Sequence, residues 1–351
     1  MIKFKIEPFD VLFFGSGRPF NLGDTASSIF PPLPHTLAGA ISSKIYEKGI
    51  KDYRVLKKII GPFLFNEDEK KVYFPKPADI CRKRKEKNGN IYLLSLFKGN
   101  TRLFKSENTN KPGEIDIFSV YYGSEQIEFF KGFISKEGLK DWLEGKIIDK
   151  KEIKLADEIF KEEKRIGIKQ DMSFHTVVEL HGLYRIDFIR LKENWSLVLW
   201  VEFDCEVLNK NEDEIFNFFN DSVKVLKLGG EMKAVRYEIE KVKGFDLFEK
   251  PELNNNDIIK ILFLTSGVYE SFIPKIDGVK IKSIICEGYL NVGLHSLRLN
   301  KKRVMKKSLP SGTVIYGQVE DKEKVKNLWL SSSDGSNGFI GSNLIIYGKQ
   351  K

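Results

Sequence analysis

Residues 1–6 alternate charged and apolar side chains, Met1-Ile2-Lys3-Phe4-Lys5-Ile6, and the apolar strip continues to Phe14, which predicts a first strand over 2–14. Residues 36–46 change to helical spacing. Thr36 is placed as the N-cap, Leu37, Ile41 and Ile45 share one face, and small residues fill another, so the helix should lie close against a sheet. From 55 to 97 the signals are those of short strands, chiefly 71–74 and 90–97. Residues 98–135 carry turn residues without sustained period and predict an insertion, followed by short helices at 135–142 and 154–161. Residues 163–169 and 183–190 alternate on either side of a polar middle, the pattern of an extended hairpin. The strongest strand is 195–203. Glu214, Ile215, Phe218, Phe219, Val223 and Leu226 recur at three- and four-residue steps, while 234–240 alternates, so Gly229-Gly230 should turn a helix into a strand.

After residue 244 a polar stretch broken by Pro251 predicts a boundary. Strands are expected at 258–265, 284–292 and 313–319, and the glycine-rich run 335–348 leads into a last one. The order is strand, helix, strands with a hairpin excursion, strand, helix, strand. That is a βαββαβ, RRM-like arrangement, and it predicts an α+β fold of two ferredoxin-like domains. Residues 1–244 would form the first, with an insertion at about 98–160 and the hairpin at about 163–190. Residues 245–351 would form a smaller, degenerate second.

Length agrees with two domains, since 351 residues exceed what one core usually organises. Lysine and arginine number 58 against 49 acidic residues, a net charge of +9 that suits a polyanionic partner without requiring one. Cys81, Cys205 and Cys286 are scattered and form no CxxC pair, so neither a disulfide framework nor a zinc site is indicated. The N-terminus lacks a signal-peptide core and no long uncharged apolar run occurs, so a cytoplasmic location is expected, without membrane contact.

Four places could meet an anion. Glycines at the corner could expose backbone amides to phosphate oxygens, with Lys224, Lys227, Lys233 and Arg236 around Gly229 and Gly230; the same glycines could serve geometry alone. Gly17 and Arg18 lie in a proline- and glycine-rich loop that is either a small anion site or a rigid surface loop. Its Gly15-Ser16-Gly17 does not begin a dinucleotide-binding turn, because Arg18-Pro19-Phe20 stands where a helix should start. The hairpin carries Arg165, Lys169, Arg185 and Arg190 on its sides and Phe174, His175 and Thr176 in its middle, fit either to straddle a nucleic-acid backbone or to extend a sheet. Last, Arg298, Lys301, Lys302 and Arg303 open the densest basic loop between confident strands. The run 82–85 is also basic, as solvated loops often are.

Several segments together resemble the RAMP superfamily of CRISPR systems and, within it, the third-subunit family of the Cmr (type III-B) effector complexes. They are Gly17-Arg18-Pro19-Phe20 with Phe30-Pro31-Pro32 and 36–40; 163–168 with Leu183-Tyr184; Leu228-Gly229-Gly230-Glu231; and 309–314 with Gly338, Gly341 and Gly348. The resemblance implies two ferredoxin-like domains gripping the 5′ tag of a CRISPR RNA, through the glycine corner and a thumb-like hairpin. The partners it implies are that RNA, a large polymerase-like subunit and a neighbouring backbone RAMP subunit. No cofactor or metal is expected, and the role is non-catalytic. Relatives that cleave RNA without metal often use a histidine near the first helix, the place His35 holds, so a metal-independent endoribonuclease is the alternative. A scaffold that binds only protein is a third reading.

Overall fold

The computed structural model describes residues 1–16, 25–47, 49, 55–86, 90–98, 117–121, 123–168, 183–271, 273–294, 304–332 and 339–350. Strand β1 (Ile2–Pro8) turns Ile2, Phe4 and Ile6 inward and Lys3, Lys5 and Glu7 outward, as its alternation requires. After it come α1 (Pro34–Glu47), β2 (Leu56–Asn66), β3 (Lys71–Pro75), β4 (Gly132–Ser135), α2 (Lys136–Glu144) and β5 (Ile153–Leu155). The long hairpin is β6 (Phe160–Ile168) with β7 (Leu183–Leu191), and then follow β8 (Trp195–Phe203), α3 (Glu212–Asp221), β9 (Val225–Lys227) and β10 (Ala234–Lys241). The last third contributes β11 (Ile258–Phe263), β12 (Val279–Ile285), β13 (Leu290–Leu294), β14 (Val304–Ser308), β15 (Val314–Val319), α4 (Lys322–Asn327) and β16 (Ile345–Lys349).

The first sheet runs β5-β4-β3-β2-β8-β1-β10-β9, with every neighbouring pair antiparallel. The second runs β12-β15-β11-β16, also antiparallel throughout. Helices α1 and α3 cover one face of the first sheet. There Leu37, Ile41, Ile45, Ile215 and Phe219 bury the apolar faces of β1, β8 and β10, and Phe219 meets Phe4 edge-on at 5.2 Å. The opposite face lies on the second sheet. Phe63, Phe74, Val198 and Trp200 from one side share a core with Leu262, Val314, Tyr316 and Ile346 from the other. Strand β8 is therefore buried on both faces, with Leu197, Leu199 and Val201 toward the helices and Val198 and Trp200 toward the second sheet.

The polar stretch 244–256 is not a solvated tether: Phe245 is buried in the shared core, 4.8 Å from Trp200 and 6.0 Å from Phe63. Glycines close the same junction. Carbon at the Cβ position of Gly312 would come within 2.6 Å of the Lys76 carbonyl, and at Gly348 within 2.4 Å of the Leu143 carbonyl, so backbones from the two parts of the chain touch where only glycine fits.

The structure departs from sequence expectation in five places. The first strand ends at Pro8, and residues 9–16 run irregularly, held by bridges from Leu12 to Ile189 and Gly15 to Ser28. Strand β2 is an 11-residue strand next to β8 and not a series of short ones; Gly61-Pro62 interrupts its ladder at a register shift, which hides its length in the sequence. Within the expected insertion at 98–160, β4 and β5 extend the first sheet, and α2 is capped by Ser135 and by Gly145 at φ 72°. Helix α3 ends at Asp221, because Ser222 is extended and the chain then pairs with β10; Val223 is exposed and Leu226 lies in β9. Finally, the strand expected at 284–292 is the end of β12 and the start of β13, parted by a turn with Gly288 at φ 79°.

Candidate nucleic-acid interface

Because α3 stops early, Gly229-Gly230 begin a strand-to-strand turn and not a helix-to-strand corner. Leu228 N–H donates to the Lys233 carbonyl at 2.9 Å and Lys233 N–H to the Gly230 carbonyl at 3.4 Å. Glu231 at φ 56° and Met232 at φ 50° fill the two left-handed positions, the geometry of a type I′ turn that suits the twist of a hairpin. A Cβ on Gly229 would lie 2.3 Å from the Phe13 carbonyl oxygen, and that oxygen accepts from Gly230 N–H at 2.8 Å. The glycines thus admit residues 9–16 of the same chain. The Gly230 amide, expected to meet a phosphate, is already engaged.

Beside this turn lies a cleft of about 860 Å³. Thr36, Gly39, Ala40 and Ser43 of α1 form one wall, Val223, Val225 and Lys227 the other, and Gly229 and Gly230 its end. The small residues of α1 were expected to press against a sheet. Leu37, Ile41 and Ile45 make that contact together with Ala38 and Ala40, and the face of Thr36, Gly39, Ala40 and Ser43 also borders the opening, where a Cβ on Gly39 would meet nothing within 4 Å. Lys44 ties the walls together, donating to the Val223 carbonyl at 2.5 Å and the Val225 carbonyl at 3.2 Å. Lys227 stands exposed at the rim with no carboxylate partner among the described residues. Lys233 sits 4.9 Å above the Phe188 ring and likewise meets no carboxylate among them. Sequence reasoning missed this cleft; its signal was the small residues at 36, 39, 40 and 43 on one helical face.

The hairpin reaches the cleft through residues 9–16. Val11 and Phe13 pack on Ile186 and Phe188, with Phe13 and Phe188 5.8 Å apart. On that face Arg165 donates Nε to Glu163 at 2.8 Å and Nη2 to Asp10 at 3.1 Å; Arg190 donates Nε to Glu163 at 2.6 Å and Nη2 to Asp10 at 2.7 Å. Partial burial alone would raise the Asp10 carboxyl, but hydrogen bonds from Arg190 and Arg165 outweigh it and hold it below its ordinary value. Arg185, on the other face, is paired with Asp187 at 2.7 and 3.0 Å. Arg236 belongs to a ladder of opposite charges across β1 and β10, where it meets Glu7, Lys5 meets Glu238 and Lys3 meets Glu240. Of the cations expected at the corner and on the hairpin's described residues, Lys224, Lys227 and Lys233 meet no carboxylate among the described residues, Lys224 donating instead to Asn220 Oδ1 at 3.2 Å, whereas Arg165, Arg185, Arg190 and Arg236 are paired with carboxylates.

Gly17, Arg18, Lys169, His175, Arg298, Lys301, Lys302 and Arg303 lie outside the described residues. Lys306 and Lys307, near the last of these, contact Glu270 and the Tyr289 ring. Arg82 pairs with Glu128, and Lys83 with Glu86 and Glu125. His35 begins α1 edge-on to Phe339, with ring centroids 5.9 Å apart; its Nδ1 is buried without a hydrogen-bond partner, and burial pushes the imidazole down to about 4. Among the described residues no group of three or more His, Cys, Asp or Glu is gathered to hold a metal, and no helix is long and apolar enough to cross a membrane.

The molecule is an α+β protein, mostly strands, with two stacked antiparallel sheets and a lysine-rimmed cleft against its first helix. It belongs to the family of CRISPR-associated proteins described as Cas_Cmr3, whose model matches residues 4–350. By structure it is similar to a chain of the type III-B Cmr-beta bound to cognate target RNA and AMPPnP (state 1), solved by cryo-EM, with a TM-score of 0.53 and 18% identity over 90% of this chain and 86% of that one. A chain of the type III-B Cmr-beta bound to cognate target RNA gives 0.52 and 17% over the same shares. At such identity the likeness concerns the fold. No curated protein matches.

Proposed function

We propose that the protein is a non-catalytic RNA-binding subunit of a type III-B CRISPR effector complex, holding the 5′ tag of the CRISPR RNA with a large polymerase-like subunit and a backbone RAMP subunit as its neighbours. Family membership supports the complex, and the cleft between α1 and the Gly229-Gly230 turn is the observation that carries RNA binding. It combines what single-stranded RNA requires: room for an unstacked base beside small side chains, and lysines at the rim for phosphates. Both sheets fit ferredoxin-like units. In β2-β8-β1-β10 and in β12-β15-β11-β16 the second, third, first and fourth strands of each set stand in the same order, with α1 and α3 as crossovers in the first and, among the described residues, α4 alone in the second.

Filter binding of tagged and scrambled-tag RNA over a salt series tests the proposal. Preference for the tag and a steep loss of affinity with salt are expected, and equal affinity for both RNAs would remove tag recognition. Cleavage by His35 is disfavoured by the burial of Nδ1 against Phe339 without a hydrogen-bond partner, which leaves that nitrogen no group to orient it or relay its proton. Repeat RNA incubated with the protein in EDTA should stay intact. A discrete product lost on His35→Ala would favour the endoribonuclease reading.

A further inference from the structure

The Arg165, Arg190, Asp10 and Glu163 ring is made of half-exposed groups, 40%, 43%, 49% and 32% accessible, and so is open to exchange with a ligand. Each guanidinium gives one hydrogen bond to each carboxylate, so two anionic groups span two parallel forks. The planar fork of donors that each guanidinium here divides between two carboxylates also suits the oxygens of a phosphate, and a carboxylate is the nearest protein equivalent of that anion. Lys233 adds a third cation over the same Phe188 ring that Arg165 covers at 5.2 Å, which leaves three positive charges against two negative. The ring is tethered to the cleft, since Asp10 precedes Val11 and Phe13, which pack on the hairpin, and the Phe13 carbonyl binds Gly230 N–H.

We propose that Arg165 and Arg190 form a backbone-phosphate site for a single RNA strand, which the chain on its own keeps filled with Asp10 and Glu163. The carboxylates act as built-in competitors. A strand must displace them, so weak or mispositioned RNA is held less well than RNA that also fills the cleft. This rests on the reading of the protein as an RNA binder.

Asp10→Asn and Glu163→Gln keep size, remove one negative charge each and turn one of the two accepting oxygens into an amide donor, so that one guanidinium hydrogen bond is released. The full chain carrying either should bind a fluorescein-labelled single-stranded RNA oligomer about three- to tenfold more tightly at low salt. Its log affinity should fall more steeply with log salt, by about 0.7 for each further phosphate engaged. Tagged and scrambled RNA should then be less well distinguished. Arg165→Ala and Arg190→Ala should reverse the gain in either background. Thermal melting verifies folding of each variant, and the two substitutions lie on separate segments, so either alone suffices. Unchanged or weaker RNA binding by both variants, when wild type binds, overturns the phosphate site and leaves RNA binding intact. Absence of binding by every chain at low salt removes the RNA reading itself and this site with it. Inorganic phosphate at constant ionic strength should compete only weakly; competition at micromolar levels would mark a site for free phosphate and overturn its assignment to a strand.

Discussion

Gly39 and Gly229 border one cleft for opposite physical reasons. Gly39 sits in a helix with open space where its Cβ would be, so Gly39→Ala should raise stability by about 0.5–1 kcal/mol through lost unfolded-state freedom. The added methyl projects into the space assigned to a base, and RNA affinity should fall by about tenfold. Gly229 is at φ 79° with the Phe13 carbonyl where a Cβ would be, so Gly229→Ala should cost about 2–4 kcal/mol and loosen residues 9–16. Denaturant titration and RNA binding, measured on the same two variants, check both statements. A Gly39→Ala protein that gains stability and keeps its affinity would place the RNA elsewhere. His35 makes a separate prediction about pH. Its folded pKa, about 4, lies below the ordinary 6.5, so the unfolded chain takes up a proton first on acidification. The contribution is present above about pH 6.5 and is lost as pH falls toward 4, by up to about 3 kcal/mol. His35→Phe should flatten that part of the stability profile, and a profile identical to wild type would show that the imidazole is already exposed to water.

Elements whose two faces meet different surroundings were legible in the sequence. Strands β1 and β10 alternate, α3 has a helical stripe with Asn211 and Glu214 forming its capping box, and the pairing of β6 with β7 agrees with the expected hairpin. Strand β2 was not, because both its faces are buried and Gly61-Pro62 breaks its run. The helix expected to reach the glycines was drawn too long because Val223 and Leu226 fall at helical spacing by coincidence; one is exposed and the other faces the core from a strand. The site divided in the same way. Residue type singled out Lys227 and Lys233 as candidate cations alongside the arginines, but it could not reveal which arginines had carboxylate partners, since Glu7 and Asp10 are more than 150 residues distant from Arg236 and Arg165. This gives β9 and β10 different expected behaviour. Lys227→Ala should weaken RNA binding and lower the salt slope by about 0.7, whereas Arg236→Ala should leave both nearly unchanged and cost about 0.5 kcal/mol of stability from the cross-strand ladder. A larger binding loss for Arg236→Ala than for Lys227→Ala would move the RNA path from the cleft to the outer face of the first sheet.

The two sheets are joined by more than apolar contact. Asp79, fully buried, accepts from Trp142 Nε1 at 3.1 Å and from Tyr316 Oη at 2.8 Å, so one carboxylate links α2 to β15 of the second sheet. Burial raises the Asp79 carboxyl, and hydrogen bonds from Tyr316 and Trp142 oppose the rise. Lys76 is buried beside it and donates to the Pro77 and Ile80 carbonyls at 3.0 and 2.7 Å. Such groups are costly to separate, since parting the sheets would leave polar atoms without partners as well as exposing Phe74, Trp200, Leu262 and Ile346. Although the sequence reads as two domains, the physical expectation is one cooperative unit, with a single denaturant transition seen alike by tryptophan fluorescence and far-UV circular dichroism. Tyr316→Phe should shift that transition by about 1–3 kcal/mol as a whole, because it leaves Asp79 short of a donor. Two resolved transitions in wild type, or a Tyr316→Phe shift confined to one of them, would mean that each sheet folds alone and that the buried carboxylate only decorates their contact. A single transition would mean that α1, the cleft beside it and the second sheet lose their structure together.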